Sequence, residues 1–85
     1  MDIREVFARN LRRYRRAARL SQEELAHRSD LDRTYISSLE RSVYAASIDV
    51  VDRLAAALEI QAADLLVRPP PAQGRRLRSM ANGRE

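Results

Sequence analysis

Residues 20–41 read LSQEELAHRSDLDRTYISSLER, and two helix starts are written into them. Ser21 and Glu24 stand at the S-x-x-E spacing of a capping box, in which each side chain satisfies an amide that the first helical turn leaves without a partner. Leu20 before that cap and Leu25 at the fourth helical position form a hydrophobic staple. The spacing predicts a helix over 22–28, with Leu25 and Ala26 inward. Ser29, Asp30 and Leu31 break it. Asp32 is a good N-cap, Leu31 and Ile36 form a second staple, and a second helix should run from Arg33 to about Arg41 with Ile36 and Leu39 buried. Its opposite side offers Arg33, Thr34, Ser37, Ser38 and Arg41, a short, polar and mostly uncharged face.

The same reading extends outward. Upstream, Ile3, Phe7, Leu11, Tyr14 and Ala18 recur at steps of four, four, three and four, which places them on one face of a first helix. Arg15 borders that apolar stripe, so it needs a carboxylate partner if it is buried. Downstream, Ser42 to Ala46 form a loop, and Ser47 caps a helix with Asp49 favourable to its dipole and Val51, Leu54, Ala55 and Leu58 at core spacing. A short fifth helix is expected around Ala62 to Leu66. Pro69, Pro70 and Pro71 cannot continue it. The expected organisation is an all-α domain over residues 1–68, followed by a basic tail over 69–85 with too few apolar residues to fold alone. No internal repeat is present.

Composition narrows the chemistry. The 85 residues suffice for one domain, and the absence of cysteine removes disulfides, thiolate zinc sites and cysteine nucleophiles. No apolar run reaches the length of a membrane span, and the acidic start predicts no signal peptide. A single histidine, His27, falls on an exposed helix face and reads as solvated rather than as a metal ligand. Neither a catalytic constellation nor a site for a metal, cofactor or small-molecule ligand is expected. The net charge of +4 comes from sixteen arginines and no lysine, unevenly placed. Residues 2–19 hold seven arginines against Asp2 and Glu5, residues 20–68 hold five against nine acids, and residues 69–85 hold four against Glu85. Such a distribution suits an anionic partner touched at particular places.

Two short capped helices separated by a three-residue break, inside a helical bundle, describe a helix-turn-helix. Its second helix can enter the major groove of double-stranded DNA while the first lies across the backbone. The run over 20–41, together with SIDVVDRLAAALEI and ADLL further on, resembles the lambda-repressor-like, Cro/cI-type (XRE) family. Ser21-Gln22, Leu25-Ala26, Ile36-Ser37 and Glu40-Arg41 carry the resemblance, which covers about residues 4–67. Within that family, LDRTYIS followed by LER is similar to the controller proteins of restriction-modification systems.

The resemblance implies a compact five-helix domain and assigns roles. Arg33, Thr34, Ser37 and Ser38 match base-facing positions. Asp32 either accepts from a cytosine amine or only caps its helix. Gln22, Arg41, Ser42 and Tyr44 match backbone-gripping positions. Tyr35 either approaches DNA or packs against the preceding helix. Arg12 and Arg16 are phosphate contacts or merely solvated. Arg15 and Glu40 correspond to a buried ion pair. Ile60, Leu65, Leu66 and Val67 exceed what a small core needs and are the expected homodimer surface.

The implied function is a sequence-specific transcriptional regulator, a homodimer on palindromic operators, working on the nucleoid in a bacterial or phage-infected cytoplasm. An antitoxin-type protein-binding module, with the tail as its binding arm, is the alternative. The chain also departs from the family. Glycine is frequent there before helix 2, in the turn, after helix 3 and after helix 4, where this sequence has Arg19, Asp30, Ser42 and Glu59. If those sites keep left-handed backbone, each side chain costs about 1 kcal/mol, less for the aspartate. The family's Asn-Pro in the next loop is Ala45-Ala46 here.

Overall fold

A computed structural model describes residues 2–69. Four α-helices follow one another: α1 (Ile3–Ala17), α2 (Gln22–Ser29), α3 (Arg33–Glu40) and α4 (Ile48–Leu58). The expected fifth helix is instead a single 3-10 helix, Ala62–Leu66. Its five residues sit between a left-handed residue, Glu59, and Pro69, too little chain for α-helical hydrogen bonds to propagate. The tail expected over 69–85 lies, from residue 70 onward, outside the described residues, as does its suggested role as a binding arm.

Every α-helix begins on a side-chain cap. Ser21 Oγ accepts from Glu24 N–H at 3.0 Å and the Glu24 carboxylate accepts from Ser21 N–H at 2.8 Å, the reciprocal pair expected from the sequence. Asp2 and Glu5 do the same for α1, a D-x-x-E pattern that the apolar spacing did not bring forward. Ser47 Oγ accepts from Val50 N–H at 3.1 Å, and the Asp32 carboxylate from Thr34 N–H at 3.2 Å. These hydrogen bonds hold the Glu24 carboxyl below the ordinary carboxylate range, chiefly through the Ser21 amide and then the Ser21 hydroxyl. A carboxyl depressed on folding stabilises above its unfolded pKa and loses that contribution as pH falls through its folded value. Melting temperature between about pH 7 and 3 is therefore expected to fall less steeply in Glu24→Gln, which keeps a capping group that does not titrate. An acid limb identical to that of the unaltered chain would contradict this.

Every α-helix also ends in the same way. Arg19, Asp30, Ser42 and Glu59 have φ of 60, 57, 62 and 59°. The next residue's N–H then reaches back to a carbonyl in the last turn: Leu20 to Arg15, Leu31 to Ala26, Val43 to Ser38 and Ile60 to Ala55, at 2.9–3.1 Å. This is the Schellman ending, in which orphan carbonyls gain partners at the expense of one left-handed residue. The four positions read as glycine departures keep the backbone that glycine would take.

The core gathers Phe7 and Leu11 of α1, Leu25 of α2, Ile36 and Leu39 of α3, Leu54 and Leu58 of α4, with Leu20 and Leu65 closing it. Helix α1 packs on α3 and on the 3-10 helix, and α2 on α3 and α4. The buried stripe of α1 is rotated from the expected one. Val6, Ala8 and Asn10 are buried, Ile3 is 48% exposed, and Ala18 lies beyond the helix end. Asn10 is buried because its amide donates to the carbonyls of Leu65 and Val67 at 3.0 and 2.9 Å, fastening the 3-10 helix and the residue after it to α1. Among the described residues, no helix is long and apolar enough to cross a membrane.

Candidate nucleic-acid interface

The helix pair α2–α3 is joined by the left-handed Asp30, and this sharp exit turns the chain so that the start of α3 projects outward. Arg33 and Thr34, in the first turn of α3, are exposed, and Ser37 one turn later is half-buried at the edge of the same face. Asp32 caps the helix while its carboxylate stays exposed, so capping is the role the geometry shows. Ser38 follows Thr34 by one turn on α3, but unlike Thr34 it is buried, 6% exposed, where Val43 N–H returns to its carbonyl at 3.0 Å.

What fixes α3 is a buried carboxylate at its far end. Glu40 is 4% exposed. It accepts from Arg15 Nε at 2.6 Å and Arg15 Nη2 at 3.0 Å, a two-pronged ion pair, and from Gln22 Nε2 at 3.1 Å. The remaining Arg15 Nη1 donates to the Leu20 carbonyl at 2.9 Å. The hydrogen bond to Glu40 raises the Arg15 pKa further above its ordinary value, against the opposing effect of desolvation. Arg12 Nη1 donates to the Glu40 carbonyl at 2.9 Å, which makes this half-buried arginine a strut between α1 and α3. One residue thus ties α1, α2 and α3 together. The carboxylate partner demanded for Arg15 is present, and Gln22 at the start of α2 braces the end of α3.

Beyond α3, Arg41 and Tyr44 are exposed and Ser42 is half-buried. The Tyr35 and Tyr44 rings lie 6.3 Å apart, tilted by 40°, and Tyr35 also packs against the core. The Tyr35 ring is thus half-buried between the core and the exposed Tyr44. Arg16 is exposed on α1. His27 is exposed as expected, and no group of three metal-binding side chains occurs among the described residues.

The expected dimer residues separate. Leu65 is fully buried and belongs to the core, because the 3-10 turn points it inward. Ile60 is half-buried against the core. Leu66 and Val67 are 42% and 59% exposed. Sequence reasoning missed Ile48, 87% exposed at the first position of α4 and beside Leu66 along a groove that Ala46 and Val51 also line. An apolar residue directly after a serine cap was the available signal.

This arrangement has known counterparts. The HTH_3 helix-turn-helix pattern matches residues 11–65. The control protein C.SmaI of Serratia marcescens is 46% identical over 68 residues, covering 80% of this chain and 81% of that one. Among solved structures, a hypothetical transcription factor from Neisseria superposes with a TM-score of 0.78 at 43% identity, over 80% of this chain and 78% of its own. The restriction-modification controller protein C.AhdI from Aeromonas hydrophila gives 0.71 at 40%, over 73% and 94%. The chain belongs to the HTH_3 (XRE) helix-turn-helix family of DNA-binding transcriptional regulators, which are not enzymes.

Proposed function

We propose that the chain acts as a homodimer whose two α3 helices read the half-sites of a palindromic operator, in the manner of a restriction-modification controller protein. The observation that carries this reading is the exposed first turn of α3, Arg33 and Thr34, on a helix locked from behind by the Glu40 node. One such helix covers few base pairs, so specificity requires two half-sites about one helical turn apart. The similarity to C.SmaI and C.AhdI favours the controller role. Arg33 forks to guanine O6 and N7, Thr34 offers its methyl to thymine, and Ser37 supplies a hydroxyl at the edge. Gln22, Arg41, Ser42, Tyr44 and Arg16 hold the backbone. Exposed Ile48, Leu66 and Val67, together with half-buried Ile60, form the shared surface between copies. The place of action is the cytoplasm, with the DNA.

Selection from a randomised duplex pool tests the reading. A two-fold symmetric consensus is the expected product, and the absence of one would sink it. Arg33→Ala should lose about 1–3 kcal/mol on the selected site and much less on random duplex, as competition binding at fixed salt will report. Equal losses on both would demote Arg33 to a phosphate contact.

A further inference from the structure

Arg53 is on α4, and its side chain is 46% exposed. Its guanidinium is nonetheless placed with care. Nε donates to the Ser29 carbonyl at 3.2 Å and Nη2 to the Asp30 carbonyl at 2.7 Å, while the Asp30 carboxylate stands 3.6 Å off. Ser29 ends α2, and Asp30 is the left-handed residue of the turn into α3. Carbonyls at a helix C-terminus have no intrahelical donor and carry the negative end of its dipole. A planar, always-charged fork can span two of them at once, as an ammonium cannot. The exposed ion pair contributes little beside these two bonds.

The element that braces the α2–α3 turn with this guanidinium is thus the one whose N-terminal residue, Ile48, lies in the shared surface proposed above. We propose that Arg53 is a positioning residue for operator reading. It fixes the direction in which α3 leaves the turn relative to α4, and so the separation at which two joined copies present their α3 helices. The inference rests on the homodimeric reading. A lone copy that has lost this strut still docks on one half-site by shifting as a body. Two copies joined through α4 cannot both shift, so the error emerges only on paired half-sites.

The test uses the full chain with Arg53→Met, Arg53→Lys and Asp30→Asn. The probes are a duplex with one half-site and a series with two half-sites whose spacing changes by single base pairs. Arg53→Met should leave single-half-site affinity and self-association within about twofold of the unaltered chain, and lower affinity for the best-spaced pair about tenfold, equivalent to about 1.4 kcal/mol. Its dependence on spacing should flatten. Arg53→Lys, with a single point charge, should fall between, and Asp30→Asn should match the unaltered chain, since the carbonyls remain. An unchanged spacing profile in both Arg53 variants overturns the inference, as does equal loss on single and paired half-sites. An unaltered chain without any spacing preference overturns the homodimeric reading itself, which separates the two failures.

Discussion

Glu40→Ala should cost the domain about 3–5 kcal/mol, because it strands the Arg15 guanidinium, only 11% exposed, without its counter-charge. For a domain of this size that is a large share of the whole folding free energy, on the order of 5–15 kcal/mol. Glu40→Gln should recover little of it, since an amide offers one acceptor oxygen where Arg15 and Gln22 together present three donors. The informative comparison is the double replacement Arg15→Met with Glu40→Leu. Two apolar side chains of similar volume remove both charges from the interior, and much of the loss should return. Urea unfolding followed by helical circular dichroism measures all three. A Glu40→Ala variant unfolding alongside the unaltered chain would mean that the carboxylate is solvated in solution. The double variant carries a second readout. If Glu40 matters to DNA chiefly by orienting α3, restored stability should come without restored affinity for the selected operator.

The second large effect has the opposite sign. Arg19, Ser42 and Glu59 each place a Cβ in left-handed backbone, at about 1 kcal/mol apiece, whereas Asp30 is the residue type that tolerates this best. Replacing the three with glycine should stabilise the domain by roughly 2–3 kcal/mol, because the sites belong to different helix ends and should add nearly independently. In a domain this small the melting temperature should rise by on the order of 10–20 °C. Alanine at the same places retains the Cβ and should give no such gain, which separates relief of backbone strain from loss of charge or side-chain entropy. A glycine triple variant that melts no higher would show that the greater freedom of glycine in the unfolded chain cancels the relief.

These cases show which parts of the fold were legible. Three of the four helix starts were, because a serine or aspartate cap satisfies amides locally, and Ser21, Asp32 and Ser47 all behave as read, while the Asp2 start of α1 was passed over. The helix ends were legible only through the family resemblance, since nothing about Arg19 or Glu59 as residue types announces positive φ. Periodicity placed Phe7 and Leu11 correctly but overextended the α1 stripe to Ile3 and Ala18, where the helix has run past the core or stopped. It also could not decide that five residues from Ala62 form a 3-10 turn, which is what sends Leu65 inward and leaves Leu66 out. The polar struts were the least visible. Asn10, Arg12 and Arg53 bond to carbonyls 23 or more residues away, and a polar residue on a helix reads as surface until its distant partner is known. Arg15 was the exception, betrayed by its place beside an apolar stripe.

The locked end of α3 has a consequence for how such a protein can change its target. The bonds that orient the helix are made by Glu40, Gln22, Arg12 and Arg15, none of which belongs to the exposed first turn. Arg33 and Thr34 can therefore be exchanged for other residues without disturbing the scaffold, so that, with the operator read as proposed, recoding and folding are nearly separate problems. Asp32, next to them in the chain, is the residue that folding constrains. Its alphabet is confined to the few residue types that accept a hydrogen bond from the Thr34 amide, and lineages that diverge in operator sequence should vary at 33 and 34 while rotating among serine, threonine, asparagine and aspartate at 32.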